Sequence, residues 1–130
     1  MSTSDWERLT AAAEAVLKPR RISKWIEVGG VAAAILTDRD NIHTDVCIDS
    51  ACSRGMCAER SAAARMLTCG ENRIVKIVCL NRNGFLPPCG ACREFLMELD
   101  PGNSGMKILL PGNRIAELQE LLPKWWGEKL

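Results

Sequence analysis

Residues Trp25–Leu36 read WIEVGGVAAAIL, and the fold is decided there. A half-exposed strand alternates apolar and polar residues, whereas this stretch is almost continuously apolar, so it predicts a buried strand. Its uninterrupted part, Val28–Leu36, is nine residues long, too short to cross a bilayer. The adjacent Gly29 and Gly30 and the run of alanines leave no bulk on the strand, which suggests something packing closely against its backbone. Asp38–Asn41 predicts a turn and Ile42–Ile48 the returning strand of a hairpin.

Outward from this hairpin, Ser4-Asp5-Trp6-Glu7 has the form of a helix-capping box. Trp6, Leu9, Ala13, Val16 and Leu17 follow at helical spacing until Pro19 ends the helix. Downstream, Asp49–Gly55 is irregular and Cys57–Thr68 is an alanine-rich helix closed by Gly70. Ile74–Leu80 is a β-branched strand ending in the turn Asn81–Gly84. Pro87-Pro88 is extended and leads into a helix over Cys89–Leu99, stopped by Asp100-Pro101-Gly102. Met106–Leu110 and Arg114–Leu118 complete the strands, with Gln119–Leu130 as a tail. The order αββαβαββα, without a repeat or linker, predicts one α/β domain over residues 1–130.

Composition narrows the function. The 130 residues are 47% hydrophobic and 25% charged, which excludes a disordered chain. With 17 basic against 16 acidic residues there is no basic excess to collect phosphates, so no nucleic-acid partner is expected, and no membrane segment either. The polar start MSTSDWERLT carries no secretory signal, and seven cysteines without one predict a cytoplasmic, reducing location. There cysteines bind metal or do chemistry.

Cys57-Ala58-Glu59-Arg60 and Pro88-Cys89-Gly90-Ala91-Cys92 both lie where a helix begins, and helix N-termini favour thiolates. Three thiolates converging from two helix starts hold a tetrahedral Zn²⁺ and leave the fourth position to water, as in catalytic sites. Arg60 is placed to offset the excess thiolate charge. Glu59 is a carboxylate beside such a water, where a general base is needed. Other readings stand beside these. Cys89 and Cys92 alone form a C-x-x-C redox pair, and a structural zinc would take a fourth ligand from Cys47, Cys52 or Cys69. Glu59 also reads as a surface helix acid, Cys79 as a small core hydrophobe, His43 as a solvent-edge strand residue and Trp125-Trp126 as packing.

CAER at Cys57–Arg60 followed by PCGACR at Pro88–Arg93 resembles the cytidine deaminase family, including the blasticidin S deaminases. Val28–Ala33 resembles the family's V-G-A-A strand, and Glu120–Pro123 with Trp125-Trp126 its C-terminal E-L-L-P and aromatic. The resemblance implies a three-layer α/β/α fold with a mixed five-stranded sheet. It implies zinc on Cys57, Cys89 and Cys92, proton transfer by Glu59 and reading of the ring edge by the Ala58 backbone. It also implies hydrolytic deamination of a small aminopyrimidine, with release of ammonia, by a homotetramer whose neighbouring subunits complete each site. The chain departs from the family where nucleoside deaminases grip the ribose with N-x-E. The matching positions are Cys47 and Asp49, and the loop to Cys57 is one residue shorter. Asp49 reads equally as a turn acid. A cytosine nucleoside, a blasticidin-like antibiotic, and no substrate at all, in a zinc-stabilised interaction domain, are the three functional expectations.

Overall fold

The computed structural model describes Ser4 to Lys129; residues 1–3 and Leu130, at the ends of the expected domain and tail, lie outside it. Helix α1 (Asp5–Val16) starts at Ser4, whose Oγ accepts from the Glu7 N–H at 3.1 Å. The long strands are β2 (Ile26–Thr37), β3 (Ile42–Ser50), β4 (Ile74–Asn81), β6 (Lys107–Leu110) and β7 (Arg114–Glu117). Between them run α2 (Ala58–Thr68) and α3 (Gly90–Glu98), and α4 (Leu118–Leu121) follows β7. The long strands lie in the order β3-β2-β4-β6-β7. All neighbours are antiparallel except β4 and β6, so the sheet is mixed, as expected. The expected five strands become seven. Two-residue strands β1 (Arg20–Arg21) and β5 (Gly84–Phe85) pair with β2 and β4. Such short pairings carry no alternating pattern and arise only where folding lays one segment beside another.

Strand β2 is buried on both sides. Ala33 and Ile35 pack with Ala62, Ala63, Met66 and Leu96 on the α2–α3 side. Ala32, Ala34 and Leu36 pack with Leu9, Ala13 and Leu80 on the α1 side. This two-sided cover is why the sequence run lacks alternation, and it produces the three layers. The close approach expected at Gly29 is made by the chain before β1. A Cβ at Gly29 would lie 2.2 Å from the Lys18 carbonyl oxygen, and the residue adopts φ +82° at a register shift in β2.

Two buried polar residues lock the other end of the sheet. Asn103 accepts from the Ile74 N–H at 2.8 Å and donates to the Leu96 carbonyl at 2.9 Å, tying α3 to β4. Glu71 accepts from Thr37 Oγ1 at 2.6 Å and Asn41 Nδ2 at 3.2 Å, and its Oε2 lies 2.7 Å from His43 Nε2. His43 is therefore not the solvent-edge residue expected: the α2–β4 connection brings an acid onto it that strand periodicity does not reveal. These partners, Thr37 first and then His43, hold the Glu71 carboxyl below the usual range. A carboxylate with a lowered folded-state pKa contributes its stability in full above the unfolded value and loses it as pH falls through the folded one. Urea denaturation followed from about pH 6 to about pH 3 should show an acid-side loss that Glu71→Gln makes shallower; equal slopes in both proteins would contradict this role.

Candidate active site

Cys57 and Cys89 are the N-cap residues of α2 and α3, and Cys92 lies in the first turn of α3, fully buried. Both helices stand on the same face of the sheet, so their starts meet. Cys57 Sγ is 3.6 Å from Cys89 Sγ, which is 3.4 Å from Cys92 Sγ. All three sulfurs lie within 4.8 Å of one another, and among the described residues no other Cys, His, Asp or Glu joins the group. Sulfurs around a tetrahedral ion at about 2.3 Å are roughly 3.8 Å apart, so this donor set fits zinc. The absence of a fourth ligand disfavours the structural-zinc reading that drew on Cys47, Cys52 or Cys69. A redox pair leaves the third sulfur beside Cys89 without a role.

The surroundings act differently on the three thiols. Burial, and then the Glu59 carboxylate, push the Cys92 thiol up. The Cys89 thiol is held down, against its partial burial, by the Cys92 backbone N–H and by the neighbouring thiols. Arg60 donates from Nη2 to Cys57 Sγ at 3.8 Å, and this contact, more than any other, raises the pKa of the guanidinium.

A cleft of about 600 Å³ opens over the cluster, lined by Cys57, Cys89, Ala58, Glu59, Cys47 and Asp49 among others. It gathers the expected site residues except buried Cys92. Glu59 is only 4% exposed, which excludes the surface-acid reading. It shares the cleft with Cys57, two residues away, because Cys57 stands at the non-helical N-cap (φ −69°, ψ 150°). Ala58, fully buried, lies at the floor of the cleft between Cys57 and Glu59. Cys47 is buried, its Sγ accepting from the Val31 N–H at 3.3 Å and lying 3.9 Å from Asp49 Oδ2, whereas Asp49 is exposed.

Two further residues matter here that the sequence motifs do not mark. Cys79 is buried as expected but also lines the cleft, with its thiol pushed up by burial and by the Glu59 carboxylate. Strand parity carries the signal: Cys79 follows Ile77, on the face that meets α2 and α3. Arg93 donates from Nε to the Pro88 carbonyl at 2.8 Å and from Nη1 to the Leu121 carbonyl at 3.1 Å. It fastens the Cys89 turn to the C-terminal segment, where Trp125 packs on the core and exposed Trp126 donates to Glu94 at 3.2 Å.

Comparison with known proteins places the chain. Its sequence is 35% identical over 94 residues to the cytidine deaminase of Halalkalibacterium halodurans, covering 70% of this chain and 68% of that protein. The chain belongs to the cytidine deaminase family. No family model matches it. The cytidine deaminase of Proteus mirabilis is 40% identical over 72 residues, which are 55% of this chain but only 22% of that longer protein. The crystal structure of a mutant cytidine deaminase from Mycobacterium tuberculosis superposes with a TM-score of 0.81 at 28% identity, covering 98% of this chain and 100% of that one.

The metal centre makes a direct prediction. Purified protein should carry about one zinc per chain, and Cys92→Ala should lose the metal and much of its stability, because binding a structural or catalytic zinc is coupled to folding. Elemental analysis with thermal unfolding tests this, and full zinc occupancy in the variant would remove Cys92 from the ligand set.

Proposed function

We propose that the chain is a zinc-dependent hydrolase, built as one cytidine deaminase-like domain, that deaminates a small aminopyrimidine and releases ammonia. The observation that carries this reading is the placement of one buried carboxylate, Glu59, in the same cleft as three convergent cysteines. A non-catalytic zinc-stabilised domain has no use for such an acid, since burying a carboxylate is costly unless it serves a purpose.

Cys57, Cys89 and Cys92 would hold a zinc ion, which when bound would supply a Lewis acid that brings the pKa of water towards neutrality. Glu59 takes a proton from the attacking water as its oxygen adds to the ring carbon bearing the amine. It then returns protons to the ring nitrogen and to the departing nitrogen, so that ammonia leaves and a ring carbonyl remains. The Ala58 backbone reads the ring edge. Arg60 holds the Cys57 sulfur and tempers the thiolate charge. Exposed Ile22 and Trp25 support a homotetramer that covers them.

Glu59→Gln tests the proton shuttle. Zinc content and fold should survive, while turnover falls by roughly 10²–10⁴-fold or more. Ammonia release near the wild-type rate would remove Glu59 from the mechanism.

The sugar end differs from that of an ordinary nucleoside site. Cys47 offers only a weak S–H donor, and its sulfur is already engaged by the Val31 N–H. Lacking one neutral and one charged hydrogen bond of a ribose grip weakens transition-state binding of cytidine by about 2–4 kcal/mol, roughly 30- to 1000-fold. Cytidine should therefore be a poor substrate beside cytosine compounds with altered sugars, and Cys47→Asn/Asp49→Glu should raise its kcat/KM. Efficient wild-type turnover of cytidine and deoxycytidine would refute the altered-sugar preference.

A further inference from the structure

The cleft does not end at Asp49. A second cavity of about 260 Å³ is lined by Pro19, Arg20, Arg21, Glu27 and Val28 together with Gly30 and Asp49. The last two also line the main cleft, so the two spaces adjoin. We infer that this arm receives an oxoanion, a phosphate or a carboxylate, carried on the sugar end of the substrate, with Arg20 as its binding cation. The inference rests on the aminopyrimidine reading of the main cleft and adds the substrate class.

The two adjacent glycines build the arm. Gly29 lets the Lys18–Pro19 backbone press against β2, which sets Arg20 and Arg21 on the rim as β1. Gly30 faces open space, with nothing within 4 Å of where a Cβ would be, so it adds no bulk to the junction of the two cavities.

The charges are arranged along the arm. Lys18–Lys24 carries Lys18, Arg20, Arg21 and Lys24 and no acid. Arg21 is committed: it pairs with Glu27 through Nη2 and donates from Nη1 to the Ser23 and Lys24 carbonyls. Arg20 makes one backbone contact, to the Lys18 carbonyl at 3.2 Å, and among the described residues no carboxylate pairs with it. Its planar fork is suited to a bidentate oxoanion. Asp49, whose only side-chain contact is the Cys47 thiol, stands at the junction as an acceptor. It would repel an anion placed there and accept from a hydroxyl instead. A ligand that offers a hydroxyl at the junction and an anion beyond it satisfies both groups.

Products, which are not turned over, give a readout independent of catalysis. Calorimetric titration of zinc-loaded protein with uridine, UMP and uridine 5′-carboxylate should show at least one anion binding roughly 10- to 100-fold more tightly than uridine. Which of the two gains identifies the source of the anion. Arg20→Ala should collapse that ratio to within about threefold, and Arg39→Ala, on the turn at the far end of the sheet, should leave it intact. Equal or weaker binding of both anions, or a ratio that survives Arg20→Ala, would overturn the inference. Failure of the deaminase reading is distinct: no ammonia from CMP or any other aminopyrimidine, whatever the binding ratio.

Discussion

The two-sided burial of the β2–β4 pair is the constraint on which the molecule depends. Alternate residues of β2 face α1 on one side and α2 and α3 on the other, with β4 paired along the buried half of the strand. A sheet covered in this way needs helices on both faces. Placing α2 and α3 on one face brings their N-termini together over the same sheet end, and the cysteine cluster arises from that convergence. The metal site is thus a product of the core, and zinc would return stability to the core by joining the two helix starts.

The helix starts also set the chemistry. Unpaired N–H groups and the partial positive charge at an N-terminus favour anionic sulfur, and the N-cap conformation frees Cys57 from the helical rotation that would turn it away from Glu59. Burial has the opposite effect on Cys92 and Cys79, whose thiols are pushed up next to a buried carboxylate. Helix N-termini and the Arg60 guanidinium offset part of the negative charge that thiolates and Glu59 would concentrate there. The opposite end of the sheet is held by neutral and acidic hydrogen bonds around Asn103 and Glu71, away from the reacting groups.

The departures from a nucleoside-type pocket are physically connected. Asp49 and Gly30 lie between the main cleft and the Arg20 arm, and Cys47 lines the main cleft beside Asp49. A small thiol, a shortened acid and a missing side chain all open space at that boundary, while the Gly29 bulge moves a basic segment up to it.

The sequence by itself determined the order of the helices and long strands, the two-sided burial of β2 and the three cysteines that cluster. Each of these is written in local pattern: an apolar run without alternation, and cysteines at helix starts with a carboxylate two residues on. The candidate residues Cys57, Cys89, Cys92, Glu59 and Arg60 were legible because they lie in two short segments that the fold brings into one place. Only the tertiary structure decided the rest. The His43–Glu71 contact, the Asn103 anchor and the Arg93 bridge join residues 28 or 29 positions apart, and no local periodicity records such pairs. The arm at Arg20 belongs with these, because burial of apolar surface elsewhere sets the Lys18–Pro19 backbone against Gly29. The strands β1 and β5, by contrast, are local returns onto β2 and β4, and a two-residue strand is too short to show a pattern.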